Sequence, residues 1–400
     1  MSTIRATDDR AAAPETIALF VPSLNAAGAE RVAVNLAHAL VNAGQRVDLV
    51  VARAQGDLLN QLSPKLRLID LGSSRVLFSL PGLAGYLRRE RPVGLISFMD
   101  HANIVALLAR ALAGGSTRVV ATVHNTLSVA TSNSNNRRSK LLPLLIRAFY
   151  RMADEVVAVS QGAADDMVRT AGLAADRVSV IYNPVITPGL LAARNAPPPH
   201  PWLEPGQPPV VLGVGRLTAQ KDFPNLLRAF ALVRRQRPAR LIILGEGPDR
   251  PELEALVSQL GLGTDAALPG YHPAVPAFMA RAAVFVLSSA YEGLPTVLIE
   301  AMALTRSLVS TDCPSGPREI LQHGRLGRLV PMRDPEALSQ AILASLDHPG
   351  TIASDEALEP YTEKAAVENY LRAVGSSAAP TGPESGIHLN LGQTARSHGL

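Results

Sequence analysis

Short, nearly uninterrupted apolar runs alternate along this chain with stretches in which apolar residues recur every three or four positions. The apolar runs read as strands: "TIALFVPS", "RVDLVVA", "VGLISF", "TRVVATV" and "DEVVAVS" in the first half, then "PPVVLGVG", "ARLIILG", "AAVFVLSS" and "RSLVSTD". Helices cover both faces of a parallel sheet, so its strands lose the in–out alternation of a half-exposed strand. Repeated strand–helix units of this kind predict an α/β chain with doubly wound parallel sheets.

The pattern breaks once. Residues 185–208 are dense in proline and carry no sustained period. Proline fixes φ and removes a backbone donor, so this stretch is neither sheet interior nor long helix. It predicts a linker between two doubly wound α/β domains, an N-terminal one over residues 16–184 and a C-terminal one over 209–350. A closing helix is expected in residues 351–373, from "DEALEPYTEKAAVENYLRAV". Residues 1–15 and 374–400 are expected to be disordered. Ligands of open α/β sheets bind beyond the carboxyl ends of the strands, so those ends carry the functional argument.

Composition narrows the classes. The 400 residues suffice for two cores, and 47% hydrophobic with 4% aromatic residues means cores of Ala, Val and Leu. A net charge of +4 is too small for a nucleic-acid face but compatible with anionic small molecules or anionic lipid. Cys313 is the single cysteine, which excludes an intramolecular disulfide and a cysteine-based metal site. Asp8, Asp9 and Arg10 precede "IALFV", which reads as a first strand rather than a signal peptide. No uncharged apolar run approaches the roughly 20 residues that span a bilayer. The expected location is cytoplasmic, with peripheral attachment to the inner face of the plasma membrane.

Several strand ends carry chemistry. After the first strand, Asn25, Ala26, Ala27 and Gly28 lead into an amphipathic helix whose free N–H groups suit an anion. An ordinary strand–helix turn explains the same residues. "TRVVATV" ends in His124-Asn125, a group for a substrate hydroxyl or a proton, or simply a hydrogen-bonded loop histidine. "VVLGVGRLTAQKDF" sets Arg216 and Lys221 beyond a strand that ends in Gly213 and Gly215. Two cations there suit a diphosphate, one as a planar fork and one as a point charge. Gly245-Glu246-Gly247 makes another close-approach turn, and G-x-G-x-x-G is absent from it, which disfavours a dehydrogenase.

The most specific stretch is "SSAYEGLPTVLIEAMAL". Glu292 precedes Gly293, Leu294 and Pro295, and a helix is predicted from Thr296 and Val297 onward, with the proline at its tolerated first turn. The amides there form an anion-binding helix start, strengthened by the macrodipole. Glu300 lies inside the apolar helix, where a carboxylate is costly unless partnered, for instance by the vicinal hydroxyls of a ribose.

With E-x7-E at Glu292/Glu300, the Gly215-Arg216…Lys221 loop, "AGAERV", "HN" and "IYNPV" in place, the chain resembles the retaining GT-B-fold glycosyltransferases of family 4 over most of residues 16–372. The resemblance implies two Rossmann-like domains facing a central cleft. Arg216 and Lys221 would bind the donor diphosphate, Glu292 the donor sugar's hydroxyls and Glu300 the ribose. Gly28 and the amides of Leu294–Val297 would complete the phosphate cradle. His124 would line the acceptor side, and Glu246 and Tyr271 the donor side, with Tyr271–His272 near the base. Ala27 departs from the family, which often has a second glycine there.

The implied reaction moves a hexose or N-acetylhexosamine from a nucleotide sugar, expected to be UDP-linked, to a glycan or polyprenyl-diphosphate-linked acceptor in cell-envelope polysaccharide or glycolipid synthesis. "TDCPSGPREI" points to this subset. Retention without a free carboxylate nucleophile implies front-face attack, with positioning and charge stabilisation supplied by the protein. There is no Asp-x-Asp triplet, and two cations are expected to replace a metal, so no cofactor is expected. The rivals are a UDP-sugar epimerase or hydrolase on the same fold and a non-catalytic nucleotide-sugar binding protein. "RRSKLLPLLIRAFYR", residues 137–151, interleaves cations with leucines and suits either an anionic membrane surface or an ordinary domain helix.

Overall fold

The computed structural model describes residues 15–25, 28–124, 128 and 142–378. The first seven strands are β1 (Thr16–Val21), β2 (Arg46–Val51), β3 (Arg67–Asp70), β4 (Gly94–Phe98), β5 (Arg118–Val123), β6 (Glu155–Ala158) and β7 (Val178–Val180). They form one sheet in the order β3-β2-β1-β4-β5-β6-β7. The next six are β8 (Val210–Val214), β9 (Arg240–Leu244), β10 (Ala266–Gly270), β11 (Val284–Leu287), β12 (Leu308–Thr311) and β13 (Arg328–Val330). Their order is β10-β9-β8-β11-β12-β13. Parallel registers set Leu19 beside Leu49 and Ile96 in the first sheet, and Leu212 beside Ile242 and Phe285 in the second.

Tertiary contacts divide the chain into two compact units. One is built from residues up to Thr122 with 149–156 and the segment from Val367. The other contains residues 157–366 and the described parts of 123–148.

All nine predicted runs are strands. The four strands that hydrophobic patterning missed, β3, β7, β10 and β13, are the two edges of each sheet. An edge strand is short and half-covered, so it needs no apolar run. β3 has no fully buried residue and β13 has one, whereas every residue of β4, β8 and β11 is buried.

The second sheet shows why the central runs are continuous. Leu212, Val214, Ile242, Leu244, Phe285 and Leu287 enter one core, and Val211, Leu241, Ile243, Val284 and Val286 enter another on the opposite face. Both faces are sealed, so alternation of side chains between faces leaves no polar positions.

Helices separate the strands. α1 (Gly28–Asn42), α2 (Leu80–Glu90) and α3 (Asp100–Ala113) accompany the first strands, and α4 (Leu142–Phe149) and α5 (Gln161–Ala171) flank β6. Within residues 185–208 the chain forms only short turns. One is α6 (Pro188–Ala192), capped by the Thr187 hydroxyl, which accepts from the Leu190 N–H. The second half holds α7 (Phe223–Gln236), α8 (Arg250–Gln259), α9 (Val275–Arg281), α10 (Thr296–Leu304), α11 (Pro317–Ile320) and α12 (Pro335–Asp347).

The closing helix expected over 351–373 is corrected. It is α13 (Asp355–Leu358), a 3-10 turn at Glu359–Tyr361 and α14 (Glu363–Ala373). Pro360 has no N–H to continue the ladder, and the Thr362 hydroxyl restarts it by accepting from the Ala365 N–H at 3.2 Å.

A buried carboxylate lies on the first sheet's flank. Asp48 on β2 is fully buried and accepts hydrogen bonds from the Arg67 guanidinium on β3 and, at 2.6 Å, from the Tyr86 hydroxyl on α2. Arg67 also donates to Glu90 at 2.7 Å.

Candidate functional site

The site assembles at the carboxyl ends of β8, β9 and β11. β8 leaves the sheet through Gly213, Val214 and Gly215. A Cβ on Gly213 would stand 2.8 Å from Leu226 Cδ2, so its absence lets α7 pack against the strand end. A Cβ on Gly215 would stand 3.0 Å from Lys221 Cε and 3.1 Å from its Cγ and Cδ. The lysine stem thus lies across the glycine.

The loop after β9 rests on the same turn. Cβ atoms on Gly245 and Gly247 would fall 1.9 Å from the Gly215 carbonyl oxygen and 2.2 Å from that of Leu217. These glycines are close-approach residues, as expected, but what they approach is the protein's own backbone.

The Lys221 ammonium donates to Glu292 Oε1 at 2.6 Å, and the Ser289 hydroxyl donates to the same oxygen at 2.6 Å. Gln220 Nε2 reaches Glu292 Oε2 at 3.5 Å and donates to the Tyr291 carbonyl at 3.0 Å. The Ser288 hydroxyl ties the Lys221 carbonyl at 2.7 Å. Side chains here are 15% exposed for Lys221 and 8% for Glu292, so the pair is largely out of water. A buried charge needs such a partner and such hydrogen bonds. Burial and then the Glu292 charge push the nearby Cys313 thiol up to about 12, which keeps it protonated.

Beyond Glu292 the chain turns through Gly293 and Leu294 into α10. Pro295 caps α10 with no side-chain hydrogen bond, so the first-turn N–H groups are not filled by a capping side chain. Glu300 is half-buried in the second turn. The loop is backed by a second one, in which Glu292 N–H donates to the Pro314 carbonyl at 2.7 Å and Ser315 N–H returns to the Glu292 carbonyl at 3.1 Å. Gly316 has φ +97, and a Cβ there would meet Pro295 Cδ at 2.6 Å.

Arg216 is exposed, and its guanidinium has no protein partner among the described residues. Glu246 is engaged, with Arg250 donating to its two oxygens at 2.8 and 2.9 Å. That guanidinium holds the Glu246 carboxyl below its ordinary range, with a smaller contribution from the Tyr271 backbone N–H. Tyr271 itself is 73% exposed. The adjacent His272 ring packs edge-on against Phe278 at 4.9 Å.

In the first half, Gly28 opens α1 on the surface, and a Cβ there would meet nothing within 4 Å. His124 follows β5, half-buried, and burial pushes it down to about 4, so it is neutral at pH 7. Ala26, Ala27 and Asn125 lie outside the described residues, as do 1–14, 126–127, 129–141 and 379–400.

Sequence reasoning brought Gly215, Lys221, Glu292 and α10 together, and it missed Gln220 and Ser289. The signal was present: Gln220 adjoins Lys221, and Ser289 sits three residues before Glu292 at the end of β11. Single small polar residues in turns carry too little chemistry of their own to stand out.

Residues 26–187 match the family model Glycosyltransferase Family 4, and residues 208–348 match Glycosyl transferases group 1. The chain belongs to this glycosyltransferase family. It is 28% identical over 351 residues, 83% of this chain and 90% of the relative, to the N-acetylgalactosamine-N,N'-diacetylbacillosaminyl-diphospho-undecaprenol 4-alpha-N-acetylgalactosaminyltransferase of Campylobacter jejuni. The amylovoran biosynthesis glycosyltransferase AmsD of Erwinia amylovora is 29% identical, over 74% of this chain and 81% of that protein. The crystal structure of Anabaena HepE in complex with UDP superposes with a TM-score of 0.73 at 20% identity, over 90% of this chain and 99% of that one. This glycosyltransferase therefore has the GT-B architecture, with two Rossmann-like sheets. No helix among its described residues is long and apolar enough to cross a membrane.

Proposed function

We propose that this glycosyltransferase moves a hexose or N-acetylhexosamine from a UDP-sugar to a glycan or polyprenyl-diphosphate-linked acceptor of the cell envelope. The reaction proceeds with retention, by front-face attack and without a metal. The observation that carries the reading is the meeting of the Lys221–Glu292 pair with the uncapped start of α10 beyond β8 and β11. Arg216, exposed on the same loop as Lys221, adds a second cation. Two cations and free helix amides suit a diphosphate, whose charge grows as the sugar leaves.

Each residue then has a role. Arg216 and Lys221 hold the diphosphate, and the N–H groups of Gly293, Leu294, Thr296 and Val297, around Pro295, cradle it. Glu292, fixed by Ser289 and Gln220, keeps one oxygen for a sugar hydroxyl. Glu300 takes the ribose. Gly28 has no internal reason to lack a side chain, which suits a backbone approached by a ligand. Neutral His124 can accept or donate a hydrogen bond on the acceptor side. The acceptor hydroxyl attacks the anomeric carbon on the face the diphosphate leaves, and the diphosphate oxygen takes its proton. The acceptor class is supported by the Campylobacter relative, named for a diphospho-undecaprenol substrate, and the uridine by the UDP bound to HepE. Exposed Leu144 and Leu145 on α4, beside Arg147, support peripheral contact with an anionic membrane; residues 137–141 of that stretch lie outside the described chain.

The test is thermal stabilisation by UDP, GDP, ADP and UDP-sugars, with and without EDTA. A ligand at 100-fold its Kd adds about 2.7 kcal/mol. A UDP-selective, EDTA-insensitive shift that falls in Arg216→Ala and Lys221→Ala is the expected result. No shift with any nucleotide sinks the reading. An epimerase or hydrolase on the same fold would release free sugar and UDP without an acceptor at the full catalytic rate, and a non-catalytic binder would show the shift with no turnover.

A further inference from the structure

The strand-end loop at Glu292–Val297 is held from behind by a segment with no assigned role. Ser160 and Gly162, at the start of α5, pack against it. The Ser160 hydroxyl is fully buried and donates to the Gly293 carbonyl at 2.9 Å, while the Ser315 hydroxyl donates to the same carbonyl at 3.1 Å. A Cβ on Gly162 would fall 2.2 Å from Ser315 Cβ, so no other residue allows this approach. Ser160 Oγ also caps α5 by accepting from the Ala163 N–H at 3.1 Å.

The remaining free amides at that helix start are taken by a carboxylate from the other side. Glu319 on α11 accepts from the Gln161 and Gly162 N–H groups at 3.3 Å each. The helix start of α5 is thus filled by the protein's own anion, attached to the same stretch as Ser315 and Gly316.

The geometry points to Glu319 and Ser160 as positioning residues for the transfer reaction: together they clamp the start of α5 onto the Gly293–Ser315 pair and so aim the amides that receive the nucleotide's diphosphate. The inference rests on the reading of those amides as the diphosphate cradle. It adds residues more than 130 positions away in sequence from the loop, or on the far side of it, that touch no ligand themselves. A carbonyl held by two hydroxyls cannot rotate, and the peptide plane that carries the Gly293 oxygen carries the Leu294 N–H on its other side.

The clamp carries its own titration. Burial raises the Glu319 carboxyl to about 7, while the two amides pull it back down. Asp165 of α5, Tyr182 after β7 and Tyr361 face it, and Asp165 is itself bound by Gln161 Nε2 at 2.8 Å. The neighbouring Arg318 pairs instead with Asp312. The folded pKa lies above the ordinary carboxylate value of 4.5. Stability from this group is therefore full below that value and is lost as pH rises through about 7. Replacing Glu319 with Gln removes that loss. It also sets an amide N–H₂ against one of the two helix N–H groups, so the clamp cannot close on both.

The experiment measures UDP binding by calorimetry from pH 6 to 8, with unliganded melting in parallel, in wild type, Glu319→Gln and Ser160→Ala. The expected result in Glu319→Gln is about tenfold weaker UDP binding at pH 8 and loss of a wild-type affinity step centred near pH 7, with unliganded melting at pH 8 level with or above wild type. A merely structural glutamate would lower the melting temperature and leave the pH profile in place. Ser160→Ala is expected to weaken UDP similarly but keep the step. UDP affinity within twofold of wild type in both variants, with the pH profile unchanged, overturns the clamp. Wild type that binds none of UDP, GDP and ADP overturns the diphosphate cradle and the clamp with it.

Discussion

Two ion pairs built on buried carboxylates, one in each half of the chain, make different use of the same chemistry. Asp48 is fully buried and saturated: Arg67 and Tyr86 surround it, and Glu90 takes the rest of Arg67. Asp48 lies within β2, Arg67 opens β3, and Tyr86 and Glu90 are on α2, so none of the four stands at the carboxyl end of a strand. Lys221 and Glu292 are also paired and also short of water, but they sit beyond the ends of β8 and β11, between glycine turns. Arg216 on the adjoining turn has no protein partner among the described residues. A closed network strengthens a sheet edge, whereas an ion pair left open at a strand end can exchange one partner for a ligand. Burial and pairing alone do not separate the two cases; position relative to the strand ends does.

The largest effects break this comparison from its two sides. Asp48→Ala leaves the buried Tyr86 hydroxyl without its acceptor, while the 40%-exposed Arg67 keeps Glu90, and is expected to cost about 1–3 kcal/mol of unfolding free energy. UDP affinity in the protein that remains folded should be unaltered, as titration calorimetry would show. Lys221→Ala should show chiefly in activity, with about a 10²–10³-fold loss of kcat/KM, and it also costs stability, because the neutral donors Ser289 and Gln220 alone then hold the buried Glu292 charge. Equal stability losses with equal activity losses would mean that the two pairs do the same work.

A smaller effect is expected at Arg216. Its exposed side chain binds nothing among the described residues, so Arg216→Ala should shift stability by no more than about 0.5 kcal/mol. It should weaken UDP by roughly 10- to 100-fold, the worth of one charged hydrogen bond. A melting curve and a binding isotherm on one preparation decide it.

His124 sharpens the contrast by pH. Its folded pKa of about 4 lies below the ordinary 6.5, so the unfolded chain takes up the proton first on acidification. Stability from this group is present above about 6.5 and is lost as pH falls toward 4, by up to a few kcal/mol. His124→Gln should flatten that part of the stability–pH curve in chemical denaturation. The smallest effect is at Gly28. With open space around its Cβ position, Gly28→Ala should leave stability unchanged or raise it by up to about 1 kcal/mol, while weakening UDP if the backbone there approaches the phosphates.

Legibility from sequence followed coverage. Central strands such as "VVLGV" and "VFVL" declared themselves because both faces are sealed. β3 and β13 were silent because an edge strand needs only partial cover. The same holds for the site. Glu292 stood out because a carboxylate beside a glycine-proline turn and an apolar helix is rare chemistry in a small space. Ser160 and Glu319 did not, because their meaning comes from contacts with residues 133 and 157–158 positions distant.

What the sequence by itself determined was therefore the class of fold, the nine interior strands in their order along the chain, and the gathering of Lys221, Glu292 and the start of α10 beyond β8 and β11. All of these follow from local periodicity, turn chemistry and residue types at short spacing. Only the tertiary structure decided that Lys221 pairs with Glu292, that Gly245 and Gly247 admit a neighbouring loop, that Pro360 splits the closing helix and that α5 is clamped behind the Gly293 turn. Such choices depend on which side chains meet across the sheet, and hydrogen bonds and packing between segments far apart in the chain leave no period for a sequence to show.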